Sequence, residues 1–286
     1  MPTRCDLHMH STFSDGSFSP EELVVYAKAK RLSAIALTDH HTARGLPSFF
    51  QAARRHGIIP VAGTEISAAY QGHEVHILGL FLPVNCWNAI DVWMAAQKRE
   101  KEQSNCLLAQ RLTKAGYPID YAAIQQQFPD SAINRAHFAT VLVEKGYCVS
   151  TDEAFATFLH PANGFYTPAP FAPAMDVIAR LASFGGLVAL AHPITHLSWT
   201  QLPGFIKQAV RAGMTAMETH HSDFAPSDIA RLQAMCSHYG LLECGGSDFH
   251  GTRKPDVEMG DGGGGTPIPF AMYQALSQAA AMRTSP

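Results

Sequence analysis

Residues 33–41 read S-A-I-A-L-T-D-H-H, a short apolar run followed at once by ionisable residues. A short continuous apolar run is typical of a strand that is buried on both faces. The same arrangement returns in residues 57–65, G-I-I-P-V-A-G-T-E, and in residues 186–192, G-L-V-A-L-A-H. Residues 20–30 have a helical pattern, with Ser19 as the expected N-cap. Alternating strands and helices predict an α/β fold with a parallel sheet, either closed or doubly wound.

The middle of the chain has a different character. From about Asn88 the sequence becomes polar and helix-forming, most clearly over residues 93–115. We therefore expect a helical insertion or cap domain at residues 85–167. The strand-helix units of the main domain would then occupy residues 1–84 and 168–286.

Composition excludes several classes of protein. The chain has 286 residues, with 21 Lys and Arg against 24 Asp and Glu, so no broad nucleic-acid surface and no binding of duplex DNA are expected. No signal peptide and no apolar run of membrane-spanning length are visible, which predicts a soluble, cytoplasmic protein without a membrane partner. The glycine run 260–265 is not followed by the Lys-Ser/Thr of a phosphate-binding loop, and a flexible surface loop is expected there.

Histidine and carboxylate residues gather just after the predicted strands. His8 and His10 are separated by one residue on an extended segment. They point to the same side because side chains alternate along a strand. Asp248 and His250 have the same spacing. Each motif alone has an ordinary alternative, such as a hydrogen-bonded histidine or a helix-capping aspartate. Burying so many ionisable groups together without a counter-ion would be costly, so the pattern predicts a metal centre. The full set is His8, His10, Asp15, Asp39, His40, Glu65, His76, His192, Asp248 and His250.

Ordered motifs connect the chain to a known family. They are Asp6-Leu-His8-Met-His10-Ser11, Thr38-Asp39-His40-His41, Gly63-Thr64-Glu65-Ile66, Ala191-His192-Pro193 and Gly246-Ser247-Asp248-Phe249-His250. In this order they resemble the polymerase-and-histidinol-phosphatase (PHP) family. The resemblance implies a distorted (βα)7 barrel of the amidohydrolase type, similar to a TIM barrel, with a trinuclear metal centre.

The resemblance also implies how the ligands are shared among the ions. One ion would be bound by His8, His10, Glu65 and Asp248, a second by Glu65, His76 and His192, and a third by Asp15, His40 and His250. Glu65 would then bridge the first two ions. We expect three divalent cations, manganese first, with zinc or iron as alternatives because histidine and carboxylate ligands accept several metals.

The insertion resembles that of a subgroup of the family. Asn134 and Arg135 open a helix that continues to Gly146, as in members that act on nucleoside 3′,5′-bisphosphates and on the 5′ ends of short RNA. The resemblance implies a phosphatase that removes the 3′-phosphate, with 5′-to-3′ exonuclease activity on short RNA as a further expectation. Asp15 stands where histidinol-phosphate phosphatases often have histidine, which makes that substrate a weaker alternative.

The expected chemistry is attack of a metal-bound hydroxide on phosphorus, because two cations lower the pKa of a shared water. Asp248 is either the proton acceptor for that water or a ligand only. Arg135 is assigned a catalytic and substrate-binding role, since a guanidinium can donate two hydrogen bonds to one phosphate. The other expected substrate contacts are Asp15, His40, Arg99, Asn134 and His250. For Arg99 a solvated helix face is the competing interpretation.

Several alternatives stay open at this stage. The proton donor to the leaving group is unassigned among His41, His196, His220 and His221. Another small phosphomonoesterase, of histidinol-phosphate type or not, would keep the same metal centre. Metal-dependent hydrolysis of a C–N bond is known on the same type of barrel and would not need Arg135. A docking module with structural metals would have coordinatively closed sites.

Overall fold

The computed structural model describes residues 4–129, 133–168 and 170–284. The chain forms two compact units, Met1–Asp91 with Phe171–Pro286, and Val92–Pro170. The insertion limits expected from the sequence, 85 and 167, lie a few residues before those of the second unit. In the described residues no helix is both long and apolar enough to cross a bilayer.

The first unit is built on a seven-stranded sheet whose strands follow one another in chain order. They are β1 (Cys5–Asp6), β2 (Ala34–Leu37), β3 (Ile59–Tyr70), β4 (His73–Leu80), β5 (Leu187–Leu190), β6 (Ala216–His220) and β7 (Leu242–Gly245). The first and last strands approach each other, since the Leu7 N–H donates to Gly245 O at 3.1 Å and the Asp248 N–H to His8 O at 3.0 Å. The sheet therefore nearly closes into a barrel, and the predicted distorted seven-stranded α/β barrel is confirmed.

Helices and short turns connect these strands. The helices are α1 (Pro20–Ala29), α2 (Leu46–His56), α3 (Trp87–Lys114), α4 (Tyr121–Gln127), α5 (Arg135–Glu144), α6 (Thr151–Ala154), α7 (Ala174–Ser183), α8 (Pro193–His196), α9 (Leu202–Ala212), α10 (Pro226–Tyr239) and α11 (Phe270–Thr284). At the start of α1, Ser19 Oγ accepts from the Glu22 N–H while the Glu22 carboxylate accepts from the Ser19 N–H. This capping box satisfies two backbone donors and fixes the start of the helix.

One strand departs from the predicted parallel sheet. β4 pairs antiparallel with both β3 and β5, whereas the other pairs are parallel. The cause is a tight turn at Gln71 and Gly72, whose φ angles are 50° and 83°. Two central residues with positive φ match the twist of a hairpin, so β3 runs on to Tyr70 and the chain turns straight back. Glu65 therefore lies in the interior of a strand, and the expectation of a strand end there is wrong.

The glycine run is also different from the prediction. Gly262 and Gly263 are buried, and only Gly264 and Gly265 are exposed. The Gly260 N–H donates to the Asp6 carboxylate at 2.7 Å. The first half of the run is therefore close-packed, and the expectation of a flexible surface loop is wrong for it.

Each unit has a hydrophobic core of its own. In the barrel unit small and branched side chains of the strands pack together, among them Ala36, Val61, Leu78, Ala189 and Ala216. The second unit has a separate cluster that includes Leu108, Leu112, Phe138, Leu142 and Phe158. Since residues of the Val92–Pro170 unit make this cluster by themselves, the unit has the apolar burial that a small domain needs.

Candidate metal centre and active site

All of the ligand residues predicted from the sequence lie together in the barrel unit. His8 and His10 follow β1, His40 follows β2, His192 follows β5, and Asp248 and His250 follow β7, while Asp15 lies in the loop before α1. Glu65 and His76 lie inside β3 and β4. In that ladder Ser67 is opposite His76, so Glu65, two residues before Ser67, is on the same face as His76.

Glu65 lies at the middle of the cluster and is fully buried. Its Oε2 is 3.1 Å from Nε2 of His8 and 3.1 Å from Nε2 of His10. Its Oε1 is 2.8 Å from Nδ1 of His76 and 3.1 Å from Nε2 of His192. Oε2 is also 3.3 Å from Nδ1 of His40, so each carboxylate oxygen faces a different set of imidazoles, which is the arrangement expected of a carboxylate that bridges two ions.

Two further carboxylates complete the cluster. Asp248 Oδ1 is 3.1 Å from Nε2 of His10 and 3.5 Å from Nε2 of His8. Asp15 lies on the other side, with Oδ1 3.3 Å from Nε2 of His250 and Oδ2 3.8 Å from Nε2 of His40. Possible ligand atoms within 4.8 Å of one another occur in the groups His10-Asp15-His40-His250, His8-His10-Glu65-Asp248, His40-Glu65-His76 and His76-His192-His196. The structure therefore brings together every residue of the predicted ligand sets and adds His196 beside one of them.

The outer hydrogen bonds of the histidines decide which ring nitrogen faces the cluster. His8 Nδ1 is 3.0 Å from Glu218 Oε1, and His250 Nδ1 is 2.7 Å from the Asp248 backbone oxygen. Carboxylate and carbonyl oxygens only accept, so both Nδ1 atoms carry hydrogen, and the lone pair of each neutral ring lies on Nε2. Such outer partners are typical of metal-binding histidines, whose tautomer they fix.

Buried atoms without a hydrogen-bond partner support the same conclusion. Within the described part of the chain, Nε2 of His8, Nε2 of His10, Nδ1 of His40 and Oε2 of Glu65 are buried and make no hydrogen bond. Leaving such atoms unsatisfied costs free energy unless another partner is present. Converging imidazole nitrogens and carboxylate oxygens are the donor set that zinc, manganese and iron accept. The residues therefore fit divalent cations.

The charges of the cluster are held by mutual interactions. Burial by itself would raise the pKa of Glu65, but the surrounding imidazoles, His8 first, keep it well below its usual range. Burial by itself would likewise raise the pKa of Asp248. The positive charges of Lys254 and His250 instead lower this pKa well below its ordinary value. Burial opposes protonation of His10, yet Asp248 and Glu65 raise its pKa to about 9. The carboxylates therefore stay ionised and available to cations.

Two ligand residues have an unusual backbone. His192 has a φ of 23° and Asp248 a φ of 57°, in a region that side chains other than glycine rarely adopt. The backbone of His192 is fixed by a carboxylate, since the His192 N–H donates to Glu218 Oε2 at 2.6 Å. Strain of this kind costs on the order of 1–3 kcal/mol and is found where the surrounding structure fixes a functional residue.

The predicted substrate residues of the insertion lie in the Val92–Pro170 unit. Arg135 is the first residue of α5 and is half-buried, and its guanidinium lies over the ring of Tyr166 at 5.0 Å. Asn134 caps the helix, with Oδ1 accepting from the Ala136 N–H at 3.0 Å. That N–H is therefore occupied by the cap and is not available to an anion. Arg99 is exposed on α3.

Sequence reasoning missed several residues that support the centre. Glu218 at the end of β6 is absent from the predicted set, although the structure places it behind His8. Ser14 Oγ donates to Asp39 Oδ1 at 2.7 Å and lies 3.4 Å from His10 Nδ1. The contacts of Glu218 with His8 and of Ser14 with Asp39 join segments far apart in sequence, so no local pattern predicts them. For Glu218 the same signal that identified the ligands, a carboxylate directly at a strand end, was present.

Comparison with known proteins agrees with this geometry. The sequence model of the PHP domain matches residues 6–158. The chain belongs to the PHP family. It is 32% identical over 262 residues to the 5′-3′ exoribonuclease Rnm of Escherichia coli, covering 89% of this chain and 87% of that protein. It is 28% identical to a 3′,5′-nucleoside bisphosphate phosphatase of Chromobacterium violaceum, covering 89% and 90% of the two chains.

Two further relatives bear on activity and fold. A phosphoribosyl 1,2-cyclic phosphate 1,2-diphosphodiesterase of Eggerthella lenta is 29% identical, with 88% of this chain and 97% of that protein covered. A solved structure from Bifidobacterium adolescentis, described as a metal-dependent phosphoesterase, superimposes with a TM-score of 0.84 at 27% identity and covers 99% and 96% of the two chains. The chain is accordingly a metal-dependent phosphoesterase, a hydrolase that uses divalent metal ions.

Proposed function

We propose that the chain removes the 3′-phosphate from nucleoside 3′,5′-bisphosphates, giving the 5′-nucleotide and inorganic phosphate. The observation that carries the proposal is the convergence of ligand atoms around Glu65, whose two oxygens face different sets of imidazoles. A centre for several cations suits transfer of a highly charged phosphoryl group to water. The substrate follows from the similarity to the Chromobacterium violaceum phosphatase and from the Asn134-Arg135 motif.

We propose three manganese ions, held by His8, His10, Asp15, His40, Glu65, His76, His192, Asp248 and His250. Bound cations would supply Lewis acidity to the phosphoryl oxygens and a lower pKa to water. Asp248 would then accept or pass on the proton of the attacking water through Oδ2, the oxygen now paired with Lys254. Asp15, His40 and His250 would also border the bound phosphate.

Phosphate release from a panel of substrates tests the proposal. The panel contains nucleoside 3′,5′-bisphosphates, nucleoside 5′-monophosphates, histidinol phosphate, a ribose 1,2-cyclic phosphate and a short 5′-phosphorylated RNA, all with manganese. Strong preference for the bisphosphates is the expected result. Equal turnover of 5′-monophosphates, or preference for histidinol phosphate or the cyclic phosphate, would reject the proposed substrate.

A second activity, 5′-to-3′ exonuclease action on short RNA, is favoured by the similarity to the Escherichia coli exoribonuclease. A 5′-phosphorylated oligonucleotide labelled at its 3′ end separates the two activities. Stepwise shortening from the 5′ end is expected if the chain is an exonuclease, whereas a bisphosphate phosphatase without this activity leaves the label on full-length RNA.

Arg135 is the residue through which the insertion can be tested. We propose that its guanidinium, with Asn134 and Arg99, binds the phosphate that is not cleaved. Arg135→Ala should then raise KM for bisphosphates while the metal content stays that of the wild type. Unchanged turnover would remove Arg135 from the site. Wild-type protein that contains metal, hydrolyses no phosphoester and hydrolyses amides would favour the C–N hydrolase alternative.

A further inference from the structure

The histidine doublet after Glu218 is divided between two environments. His220 is paired with Gly245 in the β6–β7 ladder, and its Nδ1 is 3.0 Å from Oγ1 of Thr219. His221 is 2% exposed, and its Nε2 is 3.9 Å from Oδ2 of Asp248. Its ring lies edge-on to His192, with centroids 5.4 Å apart. His221 is therefore the member of the doublet that borders the metal centre.

Hydrogen bonding fixes the tautomer of His221. The Asp223 backbone N–H donates to Nδ1 of His221 at 3.2 Å. A backbone N–H can only donate, so the Nδ1 lone pair is used and the hydrogen of the neutral ring is on Nε2. This Nε2 is buried and makes no hydrogen bond within the described residues. His221 thus presents an N–H group, and not a lone pair, towards Asp248.

The ligand histidines have the opposite arrangement. In His8 and His250 the outer partner of Nδ1 is an acceptor, so Nε2 faces the cluster with a lone pair. A nitrogen that carries hydrogen cannot coordinate a cation. His221 is consequently unsuited to be a further ligand, although its ring borders the same cluster as theirs.

We propose that the Nε2–H of His221 donates a hydrogen bond to a non-bridging oxygen of the phosphoryl group bound at the metal centre. The inference rests on the proposed phosphoester hydrolysis. Negative charge on these oxygens changes during phosphoryl transfer, and a fixed donor in a buried site stabilises such charge better than mobile water. His221 transfers no proton in this role, because its Nδ1 stays bonded to the Asp223 N–H throughout.

The surrounding backbone holds the donor in place. The His221 N–H donates to Gly262 O at 3.0 Å, and the Phe224 N–H donates to His221 O at 2.9 Å. The Phe224 ring packs against the imidazole with centroids 5.1 Å apart. A donor whose backbone and ring are both fixed needs no reorganisation when substrate binds.

Two substitutions separate donation from packing. His221→Gln keeps an N–H donor at similar reach, whereas His221→Met fills a similar length without any donor. The exposed His238→Met is the matched control. Activity is measured on 4-nitrophenyl phosphate and on a nucleoside 3′,5′-bisphosphate, and metal content by mass spectrometry. We expect His221→Met to lower kcat on the order of 100-fold, His221→Gln to recover part of it, and all variants to keep wild-type metal content.

The outcomes are distinguishable from those of the proposed function. Wild-type kcat in folded His221→Met, or loss of a metal equivalent from both His221 variants, would overturn the donor role. Long-range proton–nitrogen spectra of the wild type give an independent check, because hydrogen on Nδ1 would also overturn it. Wild-type protein active only on 4-nitrophenyl phosphate would reject the bisphosphate substrate while the variants still decide on His221. Inactivity on both substrates would reject both.

Discussion

At the scale of single residues, the carboxylate of Glu218 accepts hydrogen bonds from two of the proposed metal ligands at once. Its Oε1 accepts from His8 Nδ1 and its Oε2 from the His192 N–H. The Glu218→Gln amide has one oxygen and one NH₂ group, so it cannot accept at both positions. Because outer partners of this kind typically contribute 10–100-fold to metal affinity, we expect a loss of roughly that size, with the fold retained.

Metal content after dialysis against graded chelator measures this loss for Glu218→Gln. Glu243→Gln is the control, since Glu243 also lies on a strand of the barrel but accepts from Thr219 and Gln233 instead. Equal metal retention in the two variants would show that Glu218 does not orient the ligands.

Proton release is a second residue-scale prediction. In the metal-free protein, burial opposes protonation of His76, but Glu65 and Glu74 raise its pKa to about 10, and the pKa of His10 is about 9. Both imidazoles are therefore protonated at pH 7, and a cation must displace those protons. Affinity for Mn²⁺ should rise as pH increases towards 9 and fall at lower pH.

Calorimetric titration of metal-free protein with Mn²⁺ at pH 7, in two buffers of different ionisation enthalpy, counts the released protons. Burial lowers the pKa of His40 to about 3, so this imidazole is already neutral and releases no proton when a cation binds. Observed heats that do not depend on the buffer would contradict the expected release.

At the scale of elements, the sequence predicts strands better than their pairing. The apolar run of β2 and the residues that follow it were recognisable because the pattern is local. The antiparallel direction of β4 was not, since it depends on Gln71 adopting a positive φ beside Gly72. The proposed ligands were recognisable from motifs in or directly after predicted strands, whereas the roles inferred for Glu218 and His221 depend on contacts between segments that lie far apart in sequence.

The glycine run between β7 and α11 gives the element-scale prediction. A Cβ on Gly263 would lie 2.4 Å from Phe224 O and 2.5 Å from His221 O, and its φ is 106°. Gly263→Ala should therefore destabilise the protein by about 1–3 kcal/mol through steric overlap and displace His221. Gly265→Ala is the control, because its φ of 76° is also positive but nothing lies near its Cβ.

Urea denaturation of the two alanine variants, together with kcat, tests this. Gly263→Ala should lose more stability and more activity than Gly265→Ala. Identical effects would mean that glycine is needed at position 263 for its positive φ alone, and not because a side chain there would contact the His221 segment.

At the scale of the whole molecule, two cores with separate residues predict two unfolding transitions. Phe49 is fully buried in the barrel unit and Phe138 in the core of Val92–Pro170. Replacing either by alanine should cost about 3–5 kcal/mol, lowering the transition of its own unit. Metal binding distinguishes the two transitions in a second way, because free Mn²⁺ at 100 times its Kd stabilises the unit that binds it by about 2.7 kcal/mol.

Differential scanning calorimetry of the wild type, Phe49→Ala and Phe138→Ala, with Mn²⁺ and with chelator, separates the contributions. The transition that Mn²⁺ raises should be the one that Phe49→Ala lowers, because the predicted ligands all belong to the barrel unit. Phe138→Ala should lower the other transition and leave the response to Mn²⁺ intact. A single transition shifted by all three changes would show that the two cores unfold as one cooperative unit, in which case metal bound at the barrel also stabilises Val92–Pro170.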